Sequence, residues 1–282
     1  MNIDFSGQVA IVTGAGSGLG RAHAIGLARR GAHVVVNDLG PPEGSEAGRA
    51  VVDEIRREGG SAIAYGADVA SWSQVQDMAA TAIETWGKVD ILVANAGILR
   101  DRSFAKMELD DFRKVVDVHL MGSVHCAKAV WDGMKAQGYG RIVFTTSASG
   151  IYGNFGQANY GAAKAGLVGL MNVLHLEGAK YGIRVNAVAP SAATAMTRGL
   201  FPEEAIELLQ PEGVTPGVLW LASTQAPSRM ILCAGGGVFA RAVIAETEGI
   251  FLPPDQWSAE AVAAHFDAIV DPLDSAGRAR RL

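Results

Sequence analysis

Short apolar runs rich in Val, Ile and Ala alternate with longer Ala-rich segments from the start of the chain to about residue 190. The short runs are almost continuously apolar, as expected for parallel strands that helices cover on both faces. The alternation indicates repeated strand–helix units. Seven strands are predicted, at residues 8–13, 32–38, 62–65, 89–94, 141–146, 183–189 and 230–234.

The longer segments have the apolar spacing of helices. Glycines follow four of them, where a left-handed helix end is usual. Because strand–helix–strand crossovers are right-handed, this order predicts an α/β fold with a doubly wound, Rossmann-type parallel sheet of seven strands and helices on both faces. The five predicted helices lie at residues 19–30, 46–58, 72–86, 110–136 and 158–181.

Two stretches interrupt this alternation. Residues 40–48 form a longer loop than a strand–helix turn requires, and residues 191–210 are a Met- and Thr-containing segment that we expect to form a lid. Either core packing or an acyl-binding pocket would explain the apolar residues near this edge, which are Ile151, Phe155, Met196, Leu200 and Phe201.

The tail has a different character from the rest of the chain. It carries Pro253 and Pro254, and then a short helix for which Ser258 is the expected N-cap. We therefore predict one dinucleotide-binding and catalytic domain over residues 1–240. Residues 241–282 are predicted to be a C-terminal extension that packs on or near the substrate side.

Composition and charge narrow the possible partners. Lys+Arg 24 against Asp+Glu 29 gives a formal charge of −5, which provides no long-range attraction to nucleic acid or to an anionic membrane. No apolar stretch reaches the length of a membrane-spanning helix, and the N-terminus lacks the basic region of a secretory signal. Cys126 and Cys233 match no disulfide or zinc-site spacing, which predicts no bound metal and favours the reducing cytoplasm.

A glycine-rich turn, TGAGSGLG, follows the first predicted strand and opens the first helix. Its glycines let the backbone approach a pyrophosphate, and the N–H groups and dipole of the helix N-terminus stabilise the negative charge. The turn predicts a dinucleotide site formed by Gly14, Ser17, Gly18, Leu19 and Gly20. The alternative is a turn that only permits close packing of the helix on the strand.

Asp38 ends the second predicted strand, roughly 20 residues beyond the glycine turn, where an acidic side chain accepts hydrogen bonds from the adenosine ribose. Its charge would repel a 2′-phosphate, and neither Ser17 nor Leu39 supplies a cation that would bind one. We therefore expect NAD as the cofactor in preference to NADP. A solvated acidic residue at a strand end is the alternative.

Two further segments follow predicted strands at the same edge of the sheet. After the third strand, Asp68 could accept a hydrogen bond from the adenine amino group, and Val69 lies beside it. After the fourth strand, Asn95, Ala96 and Gly97 are expected near the cofactor, with Gly97 allowing close approach. The Asn95 amide could equally brace the neighbouring strands.

The candidate catalytic residues are Ser147, at the end of the fifth predicted strand, and Tyr160 with Lys164 in the following long helix. Side chains four residues apart share a helix face. A phenol has a pKa of about 10, and we expect Lys164 and a cationic nicotinamide ring to lower it, so that Tyr160 exchanges a proton with a substrate hydroxyl. Ser147 would stabilise charge on the substrate oxygen. A YxxxK sequence by itself is common on surface helices.

These residues, in this order, resemble the short-chain dehydrogenase/reductase family over residues 8–238. The resemblance implies that Lys164 also binds the nicotinamide ribose. It implies as well that the loop of Pro190, Ala193 and Thr194 contacts the carboxamide. The family's tetrad has an Asn where this chain has His119, which would either hold a relay water or pack in the core.

Within that family, four segments resemble the (3R)-hydroxyacyl-CoA dehydrogenase regions of peroxisomal multifunctional enzymes of type 2: residues 34–40, 95–107, 119–123 and 147–164. This resemblance implies a 3-hydroxyacyl-CoA or steroid-like secondary alcohol as the substrate. Arg100, Arg102 and Lys106 would then either meet a CoA phosphate or be solvated surface charge.

Family resemblance also implies a homodimer or homotetramer in which the helices predicted at 110–136 and 158–181 pair across a two-fold axis. Two alternative functions remain open. The same chemistry could act on an unrelated small ketone, sugar or aromatic diol, because one fold serves many substrates. The chain could also be a dinucleotide-sensing module without turnover.

Overall fold

The computed structural model describes residues 3–194, 197 and 202–271. The chain divides into two compact units, residues 1–240 and 241–282. Within the predicted lid, the described part contains a short helix and a backbone hydrogen bond of 2.6 Å from Ala193 N–H to the Leu209 carbonyl. Met196, Leu200 and Phe201 lie outside the described residues.

An eight-stranded sheet forms the centre of the first unit, with strand order β3-β2-β1-β4-β5-β6-β7-β8. The pairs from β3 through to β7 are all parallel. The strands are β1 (Val9–Val12), β2 (His33–Asp38), β3 (Ser61–Gly66), β4 (Ile91–Ala94), β5 (Gly140–Thr145), β6 (Ile183–Pro190), β7 (Ile231–Gly235) and β8 (Val238–Ala242). The doubly wound α/β fold is thus confirmed.

The strand order reverses between β1 and β4, which opens a crevice at the carboxyl ends of the strands. Every residue of β1, β4 and β5 is buried, because helices cover both faces of these central strands. Functional side chains that follow these strands are therefore brought to one edge.

The prediction of seven strands was one too few. β8 pairs with β7 after a two-residue turn at Gly236 and Gly237, whose φ angles are +56° and +78°. Only glycine adopts two successive positive φ angles readily, and such a turn fits the twist of paired strands. The residues of β8 are exposed or half-buried, so that strand lacks the continuous apolar run of the others.

The helices alternate with the strands along the chain. They are α1 (Gly18–Ala28), α2 (Glu46–Arg57), α3 (Trp72–Trp86), α4 (Leu109–Val116), α5 (Gly122–Gln137), α6 (Ala148–Tyr152), α7 (Ala158–Gly178), α8 (Glu203–Ile206), α9 (Thr215–Ala222), α10 (Ala259–Ala264) and α11 (Phe266–Val270). Single 3₁₀ turns occur at Phe104–Lys106, Ala179–Tyr181, Pro211–Gly213 and Pro254–Gln256.

One predicted helix is interrupted. The segment predicted as continuous over 110–136 consists of α4 and α5 joined by a π turn at Asp117–Met121. At the end of this turn the Gly122 N–H donates to the Asp117 carbonyl, five residues back. Such π turns are often found at functional sites, and this one contains His119.

Local sequence explains α2 well. Ser45 accepts a 3.0 Å hydrogen bond from the Gly48 N–H and so caps the helix. Val51, Val52 and Ile55 are buried on one face, while charged residues occupy the other face.

The second unit has two short helices over its described part. Ser258 accepts a 3.0 Å hydrogen bond from the Ala261 N–H, which confirms it as the N-cap of α10. The Thr247 hydroxyl donates to the Ile269 carbonyl at 2.6 Å. None of residues 241–271 is buried. The placement of this unit on the substrate side stays a prediction.

Candidate active site

A cavity of about 330 Å³ lies at the carboxyl edge of the sheet. Its position between the ends of β1 and β4 is where doubly wound sheets bind ligands. Most of the predicted site residues line it, namely Gly14, Ser17, Gly18, Leu19, Asp38, Asn95, Ala96, Gly97, His119, Ser147, Tyr160, Lys164, Pro190 and Thr194.

The glycine turn shapes one end of the cavity. Gly14 and Gly18 have φ angles of +60° and +54°, which side-chain-bearing residues rarely adopt. A Cβ at Gly20 would lie 2.2 Å from the Gly14 carbonyl oxygen, so Gly20 lets α1 pack against the turn. Because α1 begins at Gly18, the unpaired N–H groups of its first turn lie at this end. The turn therefore fits a pyrophosphate.

Asp38 is held at the same end by two backbone groups. Its Oδ2 accepts from the Gly16 N–H at 3.0 Å, and its Oδ1 accepts from the Leu39 N–H at 2.8 Å. These bonds fix the carboxylate while leaving lone pairs on both oxygens. A Cβ at Gly16 would lie only 2.0 Å from Oδ2. The carboxylate is thus placed to accept hydrogen bonds from a diol.

The Asn95 side chain braces the glycine turn. Its Nδ2 donates to the carbonyls of Thr13 and Gly14 at 3.0 and 3.3 Å. The Thr13 hydroxyl in turn accepts from the N–H groups of Asn95 and Ala96, both at 3.0 Å. These four bonds join the end of β1 to the end of β4. They agree with the alternative in which the Asn95 amide braces the neighbouring strands.

His119 is buried and packs directly on the backbone after β4. Its Nε2 lies 3.0 Å from the Ile98 nitrogen and 2.7 Å from the Ile98 oxygen, and its ring meets Tyr160 edge-on at a centroid distance of 5.1 Å. A Cβ at Gly97 would lie 2.2 Å from the His119 ring. Gly97 therefore makes room for this ring.

Burial and the nearby Lys164 ammonium lower the pKa of His119 to about 3, so its ring is neutral at ordinary pH. Its Nδ1 is buried and has no hydrogen-bond partner among the described residues. A core-packed histidine and a ring that binds one water are both compatible with this arrangement.

Ser147, Tyr160 and Lys164 converge at the other end of the cavity. Ser147 lies two residues after β5 in extended backbone, caps α6 and accepts a 3.1 Å hydrogen bond from the Ser149 N–H. Ser147 is also hydrogen-bonded to Tyr160. Lys164 Nζ donates to the Thr145 carbonyl at 2.5 Å and lies 5.5 Å from the centre of the Tyr160 ring.

Burial dominates the electrostatics of this group. It raises the pKa of Tyr160, an effect that the Ser147 hydrogen bond opposes and the Asp101 charge reinforces. Burial also lowers the pKa of Lys164 to about 7. The lowering of the Tyr160 pKa that we expected from Lys164 is therefore not found in the chain alone. A lowering of the Tyr160 pKa therefore depends on the charge of a bound nicotinamide ring.

Four predicted residues do not line this cavity: Gly20, Asp68, Val69 and Ala193. Asp68 Oδ1 accepts from the Ala70 N–H at 2.9 Å, and its Oδ2 lies 3.9 Å from Lys114 Nζ. Val69 is buried against Gly122. Ala193 lines an adjacent pocket that shares Gly18 and Thr194 with the main cavity.

Sequence reasoning missed several side chains of the cavity. Ser149, Asn154 and Gln157 lie beside Ser147 and Tyr160. Their positions were the available signal: Ser149 is two residues after Ser147, Asn154 is six before Tyr160, and Gln157 is three before Tyr160. The other lining residues not singled out are Leu99, Thr145, Ala192 and Thr197.

Two features are absent from the described ranges. No group of three or more His, Cys, Asp or Glu side chains there stands close enough together to bind a metal ion. None of the described helices combines the length and apolar character that crossing a bilayer requires.

Comparison with known proteins identifies the family. A family model described as short chain dehydrogenase matches residues 8–205. Peroxisomal multifunctional enzyme type 2 of Mus musculus is 52% identical over 222 residues, which cover 77% of this chain and 30% of that enzyme. The chain thus spans less than a third of that relative.

Two further relatives have substrates in their names. A 3-oxoacyl-acyl-carrier-protein reductase of Synechocystis sp. is 43% identical over 226 residues, covering 78% of this chain and 90% of the reductase. A 7α-hydroxysteroid dehydrogenase, solved with NADH and 7-oxo glycochenodeoxycholic acid, is 33% identical and superposes with a TM-score of 0.77, covering 84% of this chain and 96% of that one. The chain belongs to the short-chain dehydrogenase family and is an oxidoreductase that acts on CH–OH groups with a nicotinamide dinucleotide cofactor.

Proposed function

We propose that the protein is an NAD-dependent dehydrogenase that interconverts a secondary alcohol and a ketone. One observation carries this proposal: Ser147, Tyr160 and Lys164 meet in the same cavity whose other end holds the Asp38 carboxylate. A dinucleotide laid across the glycine turn would reach both ends. A sensing module without turnover would not need the three catalytic side chains together.

The Asp38 environment supports NAD over NADP. Both carboxylate oxygens are held by backbone N–H groups, so the charge cannot swing away from a ribose without losing these bonds. A 2′-phosphate would meet this fixed negative charge. Leu39, the next residue, is 70% exposed and offers no cation.

Tyr160, Ser147 and Lys164 have separate roles in the proposed oxidation. A nicotinamide dinucleotide held by the glycine turn and Asp38 would supply the acceptor for the hydride of the carbinol carbon. Tyr160, as phenolate, takes the hydroxyl proton, and the carbon–oxygen double bond forms. Ser147 accepts from the Ser149 N–H, and its own O–H then donates to the substrate oxygen. Lys164 would bind the ribose hydroxyls, and the charge of the bound nicotinamide ring would favour the phenolate.

We assign His119 a positioning role. It contacts both polar backbone groups of Ile98 and the edge of the Tyr160 ring, so it fixes the turn after β4 against the catalytic helix. The unpartnered Nδ1 is also suited to hold a water in a proton relay.

For the substrate, we propose a 3-hydroxyacyl-CoA first and a steroid-like alcohol second. The Synechocystis reductase is named for a 3-oxoacyl thioester and supports the first. The bile-acid ligand of the hydroxysteroid dehydrogenase supports the second. Arg102 and Lys106 are exposed and free to meet a CoA phosphate, whereas Arg100 lies 3.6 Å from Asp111.

We further propose a homodimer or homotetramer that forms through α5 and α7. Val173 and Leu176, in α7, are 52% and 72% exposed, and a cavity of about 160 Å³ lies between the two helices beside Trp131. A partner subunit would cover this apolar surface. A cytoplasmic location stays a proposal, which rests on the sequence spacing of Cys126 and Cys233, because it matches no disulfide framework.

Replacing Tyr160 by Phe tests the catalytic assignment. The phenylalanine ring keeps the packing but has no proton to exchange, so turnover should fall by about 10²-fold or more while NADH binding stays within about twofold. NADH formation at 340 nm with 3-hydroxybutyryl-CoA and a hydroxysteroid, together with a fluorescence titration of NADH, measures both. Undiminished turnover would refute the role of Tyr160, and a wild-type protein that binds NADH but oxidises no alcohol would favour the sensing module.

A further inference from the structure

A chain of polar side chains continues from the catalytic hydroxyls into the substrate end of the cavity. Gln157 is its centre and is only 6% exposed. Its Oε1 accepts from the Ser149 hydroxyl at 2.7 Å and from Asn154 Nδ2 at 3.1 Å. Its Nε2 donates to Asp101 Oδ2 at 2.7 Å. Ser149, Asn154 and Gln157 all line the cavity.

The chemistry of these groups fixes the direction of every hydrogen bond. An ionised carboxylate only accepts, so the amide nitrogen of Gln157 must face Asp101. The amide oxygen must then face the other two groups. The Ser149 hydroxyl therefore donates its proton to Gln157 Oε1, and Asn154 donates from its amide nitrogen to the same oxygen. Reversing one bond would require reversing all of them.

This direction determines what the cavity offers a ligand. Ser149 Oγ is left with lone pairs only and can accept but not donate. Asn154 keeps a second N–H on the nitrogen that faces Gln157. The set is anchored to the backbone, because the Arg102 N–H donates to the Gly156 carbonyl at 2.9 Å, next to Gln157. Because Asn154 lines the same cavity as Ser147 and Tyr160, its second N–H is a donor that this cavity can offer a ligand.

We propose that Asp101 is a positioning residue that acts through Gln157, so that Asn154 presents an N–H to a hydrogen-bond acceptor carried by the substrate beside its reacting carbon. The inference rests on the proposed dehydrogenase function and deepens it. It selects a substrate with a carbonyl close to the carbinol, as in a 3-hydroxyacyl thioester. In a steroid ring alcohol the carbinol carbon has hydrocarbon on both sides. Such a substrate would leave the Asn154 N–H without an acceptor, which makes its binding less favourable.

The test compares an alcohol that has the carbonyl with one that lacks it. We expect Asp101→Ala to lower kcat/KM for 3-hydroxybutyryl-CoA about tenfold, as for a lost hydrogen bond of about 1.4 kcal/mol. The kcat/KM for 2-pentanol should change less than about twofold. Asp101→Asn keeps an acceptor for Gln157 and should retain most of the activity with the thioester. Asp110→Ala, at a 94% exposed side chain in α4, is the matched control.

A double-mutant cycle separates positioning from structural damage. Asn154→Ala should cause the same thioester-specific loss, and adding Asp101→Ala should cause little further loss, because both changes remove one donor. Additive losses, an equal loss with 2-pentanol, or an Asp101→Asn variant as impaired as Asp101→Ala would overturn the proposal. Thermal unfolding of each variant shows whether it is folded.

A binding measurement keeps this inference separate from the proposed function. Calorimetric titration with acetoacetyl-CoA should show about tenfold weaker binding to Asp101→Ala than to the wild type or to Asp110→Ala. If the wild type oxidises neither alcohol, the dehydrogenase proposal fails while the titration still decides the role of Asp101. Equal binding to all variants refutes that role even if the wild type is an active dehydrogenase.

Discussion

Gly16 controls the position of the Asp38 carboxylate by having no side chain. Its N–H donates to Asp38 Oδ2, and a Cβ placed on it would come within 2.0 Å of that same oxygen. The carboxylate would have to rotate away and lose its hydrogen bond. The proposed preference for NAD therefore depends on Gly16, a residue of the glycine turn that was not among the predicted site residues.

Gly16→Ala is expected to weaken NADH binding about tenfold or more, the equivalent of one charged hydrogen bond of about 1.5–3 kcal/mol. The free energy of unfolding should fall only modestly, because the Asp38 carboxylate is the end of a side chain and the Ala47 Cβ, at 3.0 Å from the added Cβ, has only a short distance to give. A fluorescence titration of NADH measures the dissociation constant. Gly133→Ala, at a helix position with no atom within 4 Å of the added Cβ, is the control and should bind NADH normally. Unchanged NADH affinity in Gly16→Ala would show that Asp38 does not contact the cofactor.

Residue motifs identified the candidate catalytic side chains but not their electrostatics. Ser147, Tyr160 and Lys164 were found because their spacing carries the chemistry, and the structure brings them together. The raised pKa of Tyr160 follows from burial, which no spacing reveals. The Asp101–Gln157 hydrogen bond joins residues 56 positions apart, so only the folded chain shows it.

At the scale of elements, the contact between the π turn and the end of β4 positions His119. The ring occupies the space that a side chain at Gly97 would need, at 2.2 Å from a Cβ built there. Each residue is thus fitted to the other.

Gly97→Ala should destabilise the protein by about 1–3 kcal/mol, the usual range for overpacking. In a His119→Ala background the added methyl has room, so the same change should cost much less, and the two substitutions should be strongly non-additive. Chemical denaturation of the wild type, both single variants and the double variant gives the four free energies. Additive effects would contradict a direct contact between these residues.

Element boundaries were predictable where local chemistry sets them. Gly31, Gly59, Gly87 and Gly182 all have positive φ angles at or just beyond helix ends. The π turn was not predictable, because the segment is as helix-favouring as its neighbours and the contacts of His119 with Ile98 are seen only in the folded chain. The two-glycine turn before β8 was a readable signal, but the strand after it is not buried and so lacks an apolar run.

At the scale of the whole molecule, buried histidines tie stability to pH. His23 is fully buried, and burial lowers its pKa to about 3. Its Nδ1 lies 3.0 Å from the Thr215 hydroxyl oxygen, while Nε2 has no partner in the described part of the chain. In the unfolded chain this histidine has an ordinary pKa of about 6.5. Below that pH the unfolded chain binds a proton while His23 in the folded chain stays neutral. Folding stability is therefore lost as the pH falls from about 6.5 towards 3.

The expected contribution of His23 is a slope of up to about 1.4 kcal/mol per pH unit in the free energy of unfolding. His23→Gln removes this titration, so its unfolding free energy should fall less steeply between pH 6 and about 4.5 than that of the wild type. Urea denaturation at several pH values measures both slopes. Between about pH 7.5 and 8.5 the two slopes should coincide, because the histidine is neutral in both states. Parallel slopes at acid pH would mean that His23 is protonated in the folded protein.

The topology of the molecule followed from the sequence because one rule, the right-handed crossover, leaves few ways to arrange buried parallel strands. No such rule fixes the packing of the tail, whose described residues, 241–271, include none that is buried. The role of residues 241–271 therefore has to be measured.

The π turn at Asp117–Met121 also fixes the number of residues between α4 and α5. It contains one residue more than an α-helical turn would, so α5 continues with its faces rotated by about 100° relative to an unbroken helix. Deleting one of the neighbours of His119 in this turn would join α4 and α5 into a regular α-helix. The His119 ring would then move away from the Ile98 backbone that it contacts. Close homologues should consequently show neither insertions nor deletions in these five positions, even where the amino acids themselves vary.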